Sequence, residues 1–156
     1  LYGAKNEPQA SAGFYGLRPW HGIGDMLRAL YEGIVFNHCT HVEELGAGVT
    51  IHKVRACGGG SRSDVWMQIL ADAVGLPVEV FTINEVSALG AAIVGAVGLG
   101  LYPDYAAAIR GMVKKRKEFT PDSSNRERLV HKKVLFGRLY DQLKPVWRQV
   151  FEEKPP

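Results

Sequence analysis

The chain has 156 residues, of which 46% are hydrophobic and 22% charged, and its formal net charge is +3. This length fits one domain of ordinary size or part of a larger protein, and this composition is that of a folded globular protein, which excludes a disordered chain. No apolar run approaches the roughly 20 residues that span a bilayer, so we expect no membrane partner. The first residues do not read as a secretory leader, so we do not expect secretion. Basic residues do not alternate with aromatic ones along a face, so we expect no nucleic acid as partner.

The first residues in chain order predict an irregular segment followed by a long helix. Leu1–Pro19 is rich in glycine and proline among polar residues, which is typical of irregular structure. Apolar residues then recur three and four positions apart from Asp25 to Leu45, with Asp25 as the expected cap and glycines just beyond Leu45. The expected apolar face of this helix consists of Leu27, Leu30, Tyr31, Ile34, Val35, His38, Val42 and Leu45.

Two short β-prone segments and one helix follow. Thr50–Cys57 and Val78–Thr82 are predicted strands, and between them a helix begins at Ser63. Gly75, followed closely by Pro77, is the expected left-handed cap at the end of that helix. The helix is expected to bury Val65, Trp66, Ile69, Leu70, Ala73 and Val74.

Three further helices complete the predicted elements. Ser87–Gly98 is almost wholly small and apolar, so we expect it to pack in a core, and Asp104–Val113 is a short helix. The basic cluster Lys114–Lys117 is predicted to be a solvated loop. The last helix, Asn125–Phe151, has an apolar face that serves either as core or as a docking surface, formed by Leu129, Phe136, Leu139, Tyr140, Leu143, Trp147 and Val150.

The alternation of helices and strands indicates an α/β domain with a mainly parallel sheet. Two strands are too few for a stable sheet of this kind, so we expect the remaining strands to come from residues before Leu1. The chain also begins without a methionine, and Met26 comes too late to be its start. Both observations predict a piece of a longer protein.

The cysteines and histidines predict no metal or disulfide framework. Cys39 and Cys57 have neither a CxxC spacing nor any other paired spacing, which favours the reducing cytoplasm. His38 and His41 lie three residues apart and His52 follows, but a zinc site needs three or four well-placed donors. We therefore expect ordinary core or surface histidines, with His38 on the apolar side of its helix.

The segment Val54–Trp66, with the sequence VRACGGGSRSDVW, has the clearest chemical signal. A strand runs into Gly58, Gly59 and Gly60, and a helix begins among Ser61, Ser63 and Asp64. Glycines let the backbone approach a ligand closely, and the free amides of a helix start favour an anion such as phosphate. The same hydroxyls and carboxylate are natural helix caps, so a plain capped turn remains the alternative. This sequence matches neither the Walker loop, because it lacks Gly-Lys-Ser/Thr, nor the dinucleotide fingerprint, because Ser63 stands where that motif needs glycine or alanine.

Three blocks of sequence between residues 12 and 92 resemble the C-terminal domain of the FGGY carbohydrate kinases, which belong to the actin-like ATPase superfamily. The motifs YGLRPWH and SDVWMQ look most like those of the L-xylulose kinase branch of the family. The blocks are AGFYGL (Ala12–Leu17) with DMLRALYE (Asp25–Glu32), then CGGGSRSDVWMQILAD (Cys57–Asp72) with GLPV (Gly75–Val78), and finally EVSALGAA (Glu85–Ala92).

The resemblance implies an α/β fold of the actin-like ATPase (ribonuclease H-like) type, with a mixed sheet flanked by helices. Residues 1–156 would form the C-terminal portion of the second kinase domain, on its nucleotide-binding side. The family's catalytic aspartate lies in a motif upstream of this chain, and Asp25, Asp64 and Asp72 stand in other motifs. We therefore expect no catalytic residue here and no activity from this chain alone.

The resemblance also implies a nucleotide site and a reaction. Gly58, Gly59 and Gly60 look like the family's adenosine motif, whose backbone lies against the α-phosphate and adenosine of ATP, and Ser61 and Ser63 complete the expected site. Ser63 stands where some relatives have an asparagine that contacts the nucleotide. The implied substrates are ATP, with Mg²⁺, and a ketopentose such as L-xylulose, and the implied partner is the kinase's own N-terminal domain.

Several alternatives remain open on the sequence alone. The helix Glu85–Ala92 resembles the segment at the family's domain crossing, where Gly90 and Ala91 would have a structural role. The chain is alternatively a nucleotide-binding module of the actin-like kind that does not phosphorylate sugar. A third alternative is an interaction domain, in which the glycine segment is only a turn and the last helix docks a partner. A homodimer is a separate prediction that the sequence leaves open.

Overall fold

The computed structural model describes residues 8–83 and 85–152, the side chain of Phe151 excepted. Residues 8–22 contain no helix or strand, which confirms that part of the predicted irregular segment, while residues 1–7 lie outside the described residues. The chain divides into two compact units, one of residues 1–50 with 123–156 and one of residues 51–122. The elements are α1 (Ile23–Leu45), β1 (Val54–Ala56), α2 (Asp64–Val74), β2 (Val78–Phe81), α3 (Val86–Gly98), α4 (Tyr105–Met112), β3 (Lys115–Phe119) and α5 (Ser123–Glu152).

The first unit is built on contact between α1 and α5. Val35, Phe36 and Cys39 of α1 are buried, and the ring of Phe36 lies 5.5 Å from that of Phe136 in α5. The predicted start of α1 was wrong, because Gly22 is the N-cap and Asp25 lies inside the first turn. The Asp25 carboxylate accepts a hydrogen bond from the Gly22 N–H at 2.9 Å.

The predicted apolar face of α1 is only partly confirmed. Leu27, Leu30 and Leu45 are at least half exposed, and His38 is exposed as well, so its expected position on the buried face was wrong. The buried stripe instead includes Glu32. Its carboxylate is 5% exposed and forms ion pairs with Arg28 at 2.9 Å and with Lys132 of α5 at 2.7 Å.

The second unit contains a three-stranded mixed sheet in the order β1-β2-β3. β1 and β2 are parallel, with Val54 opposite Val78, whereas β3 is antiparallel to β2 and places Phe119 opposite Val78. The mixed sheet agrees with the expected fold class, and the expectation of a mainly parallel sheet was wrong. α2 packs on β2 and β3. The apolar core of this unit is formed by Ile69, Leu70, Val78, Val80 and Phe119.

β3 replaces the solvated loop predicted at Lys114–Lys117. Carboxylates pair with the cations of this strand: Lys115 lies 2.8 Å from Glu118 of β3 itself and 3.6 Å from Glu79, and Lys117 lies 2.8 Å from Asp64. The strand ends on the buried Phe119, which anchors it in the core. The run of basic residues at Lys114–Lys117 did not by itself indicate a strand or its acidic partners.

The remaining helices match their predicted bounds within two residues. α3, every residue of which is described, buries none of its side chains, so its predicted core packing was wrong. Asp104 caps α4 by accepting a hydrogen bond from the Ala107 N–H at 2.7 Å. α5 runs through Pro145, and Val150 is exposed although the rest of its predicted apolar face is at least partly buried. Among the described residues, no helix combines the length and hydropathy that a membrane span requires.

Candidate functional site

The glycine segment connects the end of β1 to the start of α2 as a tight turn. Gly58 has φ 85° and ψ −174°, a backbone conformation that only glycine adopts readily. Gly59–Arg62 then form one 3₁₀ turn, in which the Ser61 N–H donates to the Gly58 carbonyl at 3.1 Å. The Ser61 hydroxyl donates to the same carbonyl at 2.7 Å, and this side chain is buried. Ser61 therefore stabilises the turn itself.

The three glycines differ in what the surrounding structure demands of them. Gly58 is required by its positive φ, and Gly60 is required by packing, since a β-carbon there would lie 2.8 Å from the Trp66 ring. Gly59 has no positive φ, and apart from its own neighbours along the chain no described atom lies within 4 Å of the position that its β-carbon would take. Its side of the turn is therefore open, which is the arrangement expected where a ligand approaches the backbone.

Ser63 is the N-cap of α2. Its hydroxyl oxygen accepts a hydrogen bond from the Trp66 N–H at 3.3 Å, and Gly75 at the other end is the left-handed cap, with φ 69°. Both caps were predicted. The start of an eleven-residue helix thus adjoins the glycine turn, with the partial positive charge that favours anions.

Two cations from β3 lie at the same corner of the second unit. The Arg116 guanidinium donates to the Ser61 carbonyl at 3.0 Å and pairs with Asp64 at 2.9 Å, and Lys117 pairs with Asp64 at 2.8 Å. The hydrogen bond from Lys117, and then the Arg116 guanidinium 2.9 Å from Oδ1, hold the pKa of the Asp64 carboxyl below its ordinary value. Sequence reasoning did not place either cation at the turn, because Ser61 and Asp64 lie 55 and 53 residues before Arg116 and Lys117 respectively.

Glu79 forms a second charged cluster, on β2. This buried carboxylate accepts hydrogen bonds from Lys53 at 2.8 Å and Arg55 at 3.3 Å, and Lys115 lies 3.6 Å away. The hydrogen bond from Lys53 is the main cause of its lowered pKa. Because three cations surround it, Glu79 is an ionised structural group and is a poor candidate for proton transfer or metal binding.

The aspartates that the sequence excluded as catalytic are all engaged in structural hydrogen bonds or ion pairs. Asp72 is 2% exposed, and its Oδ1 accepts from Gln68 at 2.7 Å and from the Asp122 N–H at 2.8 Å. Asp25 accepts from Gly22, and Asp64 is paired with two cations. In the part of the chain that the structure describes, no three histidine, cysteine, aspartate or glutamate side chains converge as a metal site.

Comparison with known proteins connects this arrangement to sugar kinases. Residues 2–99 match the C-terminal domain of the FGGY family of carbohydrate kinases. The L-xylulose/3-keto-L-gulonate kinase of Escherichia coli K12 is 38% identical over 123 residues, which cover 78% of this chain and 25% of that protein. The autoinducer-2 kinase of Enterobacter sp. strain 638 is 35% identical over 131 residues, 83% of this chain and 23% of that protein. The chain thus spans about a quarter of the length of these relatives.

The fold is also shared with solved structures. The crystal structure of xylulose kinase from Rhodospirillum rubrum superposes with a TM-score of 0.75 at 32% identity, covering 92% of this chain and 29% of that one. The fold is therefore the actin-like ATPase fold of these kinases, as predicted.

Proposed function

Because the chain belongs to the FGGY family of carbohydrate kinases, we propose that it is the C-terminal, nucleotide-binding part of an ATP-dependent kinase that phosphorylates a ketopentose such as L-xylulose or a related pentulose. We assign residues 1–156 to the C-terminal portion of the second kinase domain. The catalytic base and the N-terminal domain, which is its partner in closing the site, would lie outside this chain. Its two free cysteines support a cytoplasmic location.

The observation that carries the proposal is the open side of Gly59. Gly58 and Gly60 each have a structural reason to be glycine, whereas the protein's own packing gives none for Gly59. Other glycines, Gly24 among them, also face open space, so the proposal depends on where Gly59 lies: in a tight turn directly before the N-terminus of α2, where a phosphate binds favourably. We therefore assign Gly58–Gly60 to the adenosine and α-phosphate of ATP, with Ser61 supporting the turn and Ser63 at the edge of the site.

The charges at the turn suit a polyanion. Asp64 alone, in the first turn of α2, would repel the phosphates of a nucleotide, but Arg116 and Lys117 neutralise it. The described residues do not fit a Mg²⁺ site, because the only carboxylate beside the turn is engaged by two cations and Mg²⁺ requires free oxygen ligands. We assign no magnesium ligand to this chain and propose that Mg²⁺ arrives with the nucleotide phosphates.

The role of this chain in phosphoryl transfer is then positioning. Transfer of the γ-phosphoryl group depends mostly on orientation and on stabilising charge, with little covalent work for the protein. In this proposal the turn fixes the adenosine end of ATP, and the sugar hydroxyl and its base approach the γ-phosphorus from the other domain. The hydroxyl oxygen forms the new bond to phosphorus while the bond to the β-phosphate oxygen breaks and ADP leaves.

The choice of sugar follows from two relatives and is open to a direct test. A structure named for xylulose supports a pentulose, and the Escherichia coli relative is named for both L-xylulose and 3-keto-L-gulonate, whereas the autoinducer-2 kinase is named for a different substrate. We expect the full-length protein to release ADP fastest with a pentulose in a panel that also contains 3-keto-L-gulonate and autoinducer-2. A clear preference for one of the latter two would reject the pentulose and leave the kinase proposal in place.

The nucleotide site is tested with Gly59→Ala in the full-length protein. The added methyl group enters open space in the free protein, so the melting temperature should not change, but it occupies the surface assigned to the nucleotide. We expect the Kd for ADP, measured by calorimetry, to rise on the order of tenfold or more. Gly24→Ala, which also adds a methyl group in open space but in α1, is the matched control and should leave the Kd unchanged. If the Gly59→Ala variant binds ADP as tightly as the wild type, the assignment of the turn is wrong.

A further inference from the structure

β3 contains a bulge at Arg116. Val80 of β2 lies opposite Lys117, but the next residue, Phe81, lies opposite Lys115. Arg116 is therefore opposite no residue of β2, although both strands are fully described. Bulges of this kind leave one residue outside the ladder, redirect its side chain and occur often beside active sites.

The bulge explains how two consecutive side chains reach one carboxylate. In a regular strand successive side chains point to opposite faces of the sheet, so Arg116 and Lys117 would diverge. Here Arg116 lies 2.9 Å from Asp64 Oδ1 and Lys117 lies 2.8 Å from Oδ2. Lys115, on the other side of the bulge, pairs with Glu118 at 2.8 Å and lies 3.6 Å from Glu79.

Arg116 also makes a contact that Lys117 does not. Its guanidinium donates to the main-chain carbonyl of Ser61 at 3.0 Å, inside the 3₁₀ turn. One side chain thus connects β3 both to the glycine turn and to the first residue of α2. The planar, multi-donor guanidinium suits two acceptors at once, which a lysine ammonium on its flexible stem does less well.

We propose that Arg116 is a positioning residue of the nucleotide site: it holds the Ser61 carbonyl so that the Gly58–Gly60 backbone keeps its arrangement, and it cancels the charge of Asp64 where phosphates bind. This inference rests on the proposed function of the glycine turn. It assigns to β3, which lies beyond the matched residues 2–99, a specific part in nucleotide affinity.

The test is a double-mutant cycle in the full-length kinase with Arg116→Met, Asp64→Asn and the double variant. For Arg116→Met we expect the Kd for ADP and the KM for ATP to rise on the order of tenfold, because Asp64 loses one of its two cations and the turn loses its tether, while the KM for the sugar stays unchanged. Asp64→Asn in the Arg116→Met background should recover part of the ADP affinity, since it removes the repelling carboxylate. Arg110→Met, in α4, is the matched control and should alter neither value.

The cycle distinguishes positioning from a merely structural role. Equal rises in the KM for ATP and for the sugar, together with a lower melting temperature and no recovery in the double variant, would overturn the inference. An Arg116→Met variant that binds ADP like the wild type would also overturn it. If that result accompanies a loss of ADP affinity in Gly59→Ala, the proposed nucleotide turn stands and only the role of Arg116 is rejected. Lack of ADP binding by the wild type would reject both.

Discussion

The Trp66 ring occupies the space that a side chain on Gly60 would need: its Cζ3 atom lies 2.8 Å from the position of a β-carbon there. Trp66 is the third residue of α2, so the helix covers the turn that precedes it with one of its own side chains. The close contact links the conformation of the glycine turn to the start of α2. Gly58 and Gly60 therefore have structural reasons to be glycine, whereas Gly59 faces open space.

Gly60→Ala should destabilise the protein through this contact. The methyl group would overlap with the indole ring, and overpacking of this kind costs about 1–3 kcal/mol in the free energy of unfolding. Urea denaturation of Gly60→Ala and Gly59→Ala measures the difference, and we expect the second variant to match the wild type. If Gly60→Ala is as stable as Gly59→Ala, the ring does not fill this space in solution.

Ser63 allows stability and nucleotide affinity to be separated. Ser63→Ala removes the N-cap hydrogen bond to the Trp66 N–H and should lower the free energy of unfolding by about 1 kcal/mol. Ser63→Asp keeps a capping oxygen and should therefore keep stability. Its added negative charge, however, should weaken ADP binding by a few-fold if phosphates lie at the turn. A Ser63→Asp variant that is stable and binds ADP normally would place the phosphates elsewhere.

The two ends of α2 were predictable because local chemistry determines them, whereas the predicted burial of Val65 was wrong, since this side chain is 62% exposed. A serine before an apolar repeat and a glycine followed by proline define the two ends of α2, and the structure places caps at Ser63 and Gly75. For these residues the controlling interactions lie within a few positions along the chain, where a single sequence shows them.

The parts that were not predictable depend on residues far apart in sequence. β3 forms because Lys117 meets Asp64, 53 residues earlier, and nothing in the neighbourhood of Lys117 indicates that partner. The buried stripe of α1 includes Glu32, whose charge is balanced by Lys132, 100 residues later. The contact of Arg116 with the turn depends in addition on a bulge, which residue types alone do not specify. The candidate site was therefore predicted as a turn but without its cations.

Glu79 should contribute a pH dependence to stability. Its pKa is lowered in the folded protein, chiefly by the Lys53 hydrogen bond, so the unfolded chain binds the proton more tightly. The stabilisation is therefore fully present above the ordinary glutamate pKa and is lost as the pH falls through the lowered value. We expect Glu79→Gln to be less stable than the wild type at neutral pH, and the difference to shrink as the pH falls below the ordinary glutamate pKa and on through the lowered one.

Urea denaturation across this pH range measures the effect. Glu118→Gln is the matched control, because Glu118 lies opposite Glu79 in the neighbouring strand but is 41% exposed and should contribute less. The pKa of Asp64 is also lowered, so Asp64 adds its own pH dependence to stability. This contribution is the same in every variant and cancels when they are compared. If the stability difference between Glu79→Gln and the wild type does not change with pH, the neighbouring cations do not lower the pKa of Glu79.

The two cysteines should differ sharply in reactivity, and one of them reports on the nucleotide turn. Cys39 is buried in α1, and burial raises its pKa to about 11, so only about one molecule in a thousand carries the thiolate at about pH 8. Cys57 is exposed, next to Gly58. We expect iodoacetamide to alkylate Cys57 in the native protein and Cys39 only after unfolding, as peptide mapping by mass spectrometry would record. In the full-length kinase, ADP should slow alkylation of Cys57, and L-xylulose, with no adenosine to occupy the turn, should not. Native alkylation of Cys39 at the rate of Cys57 would contradict its burial, and a Cys57 rate indifferent to saturating ADP would contradict a nucleotide lying against Gly58 and Gly59.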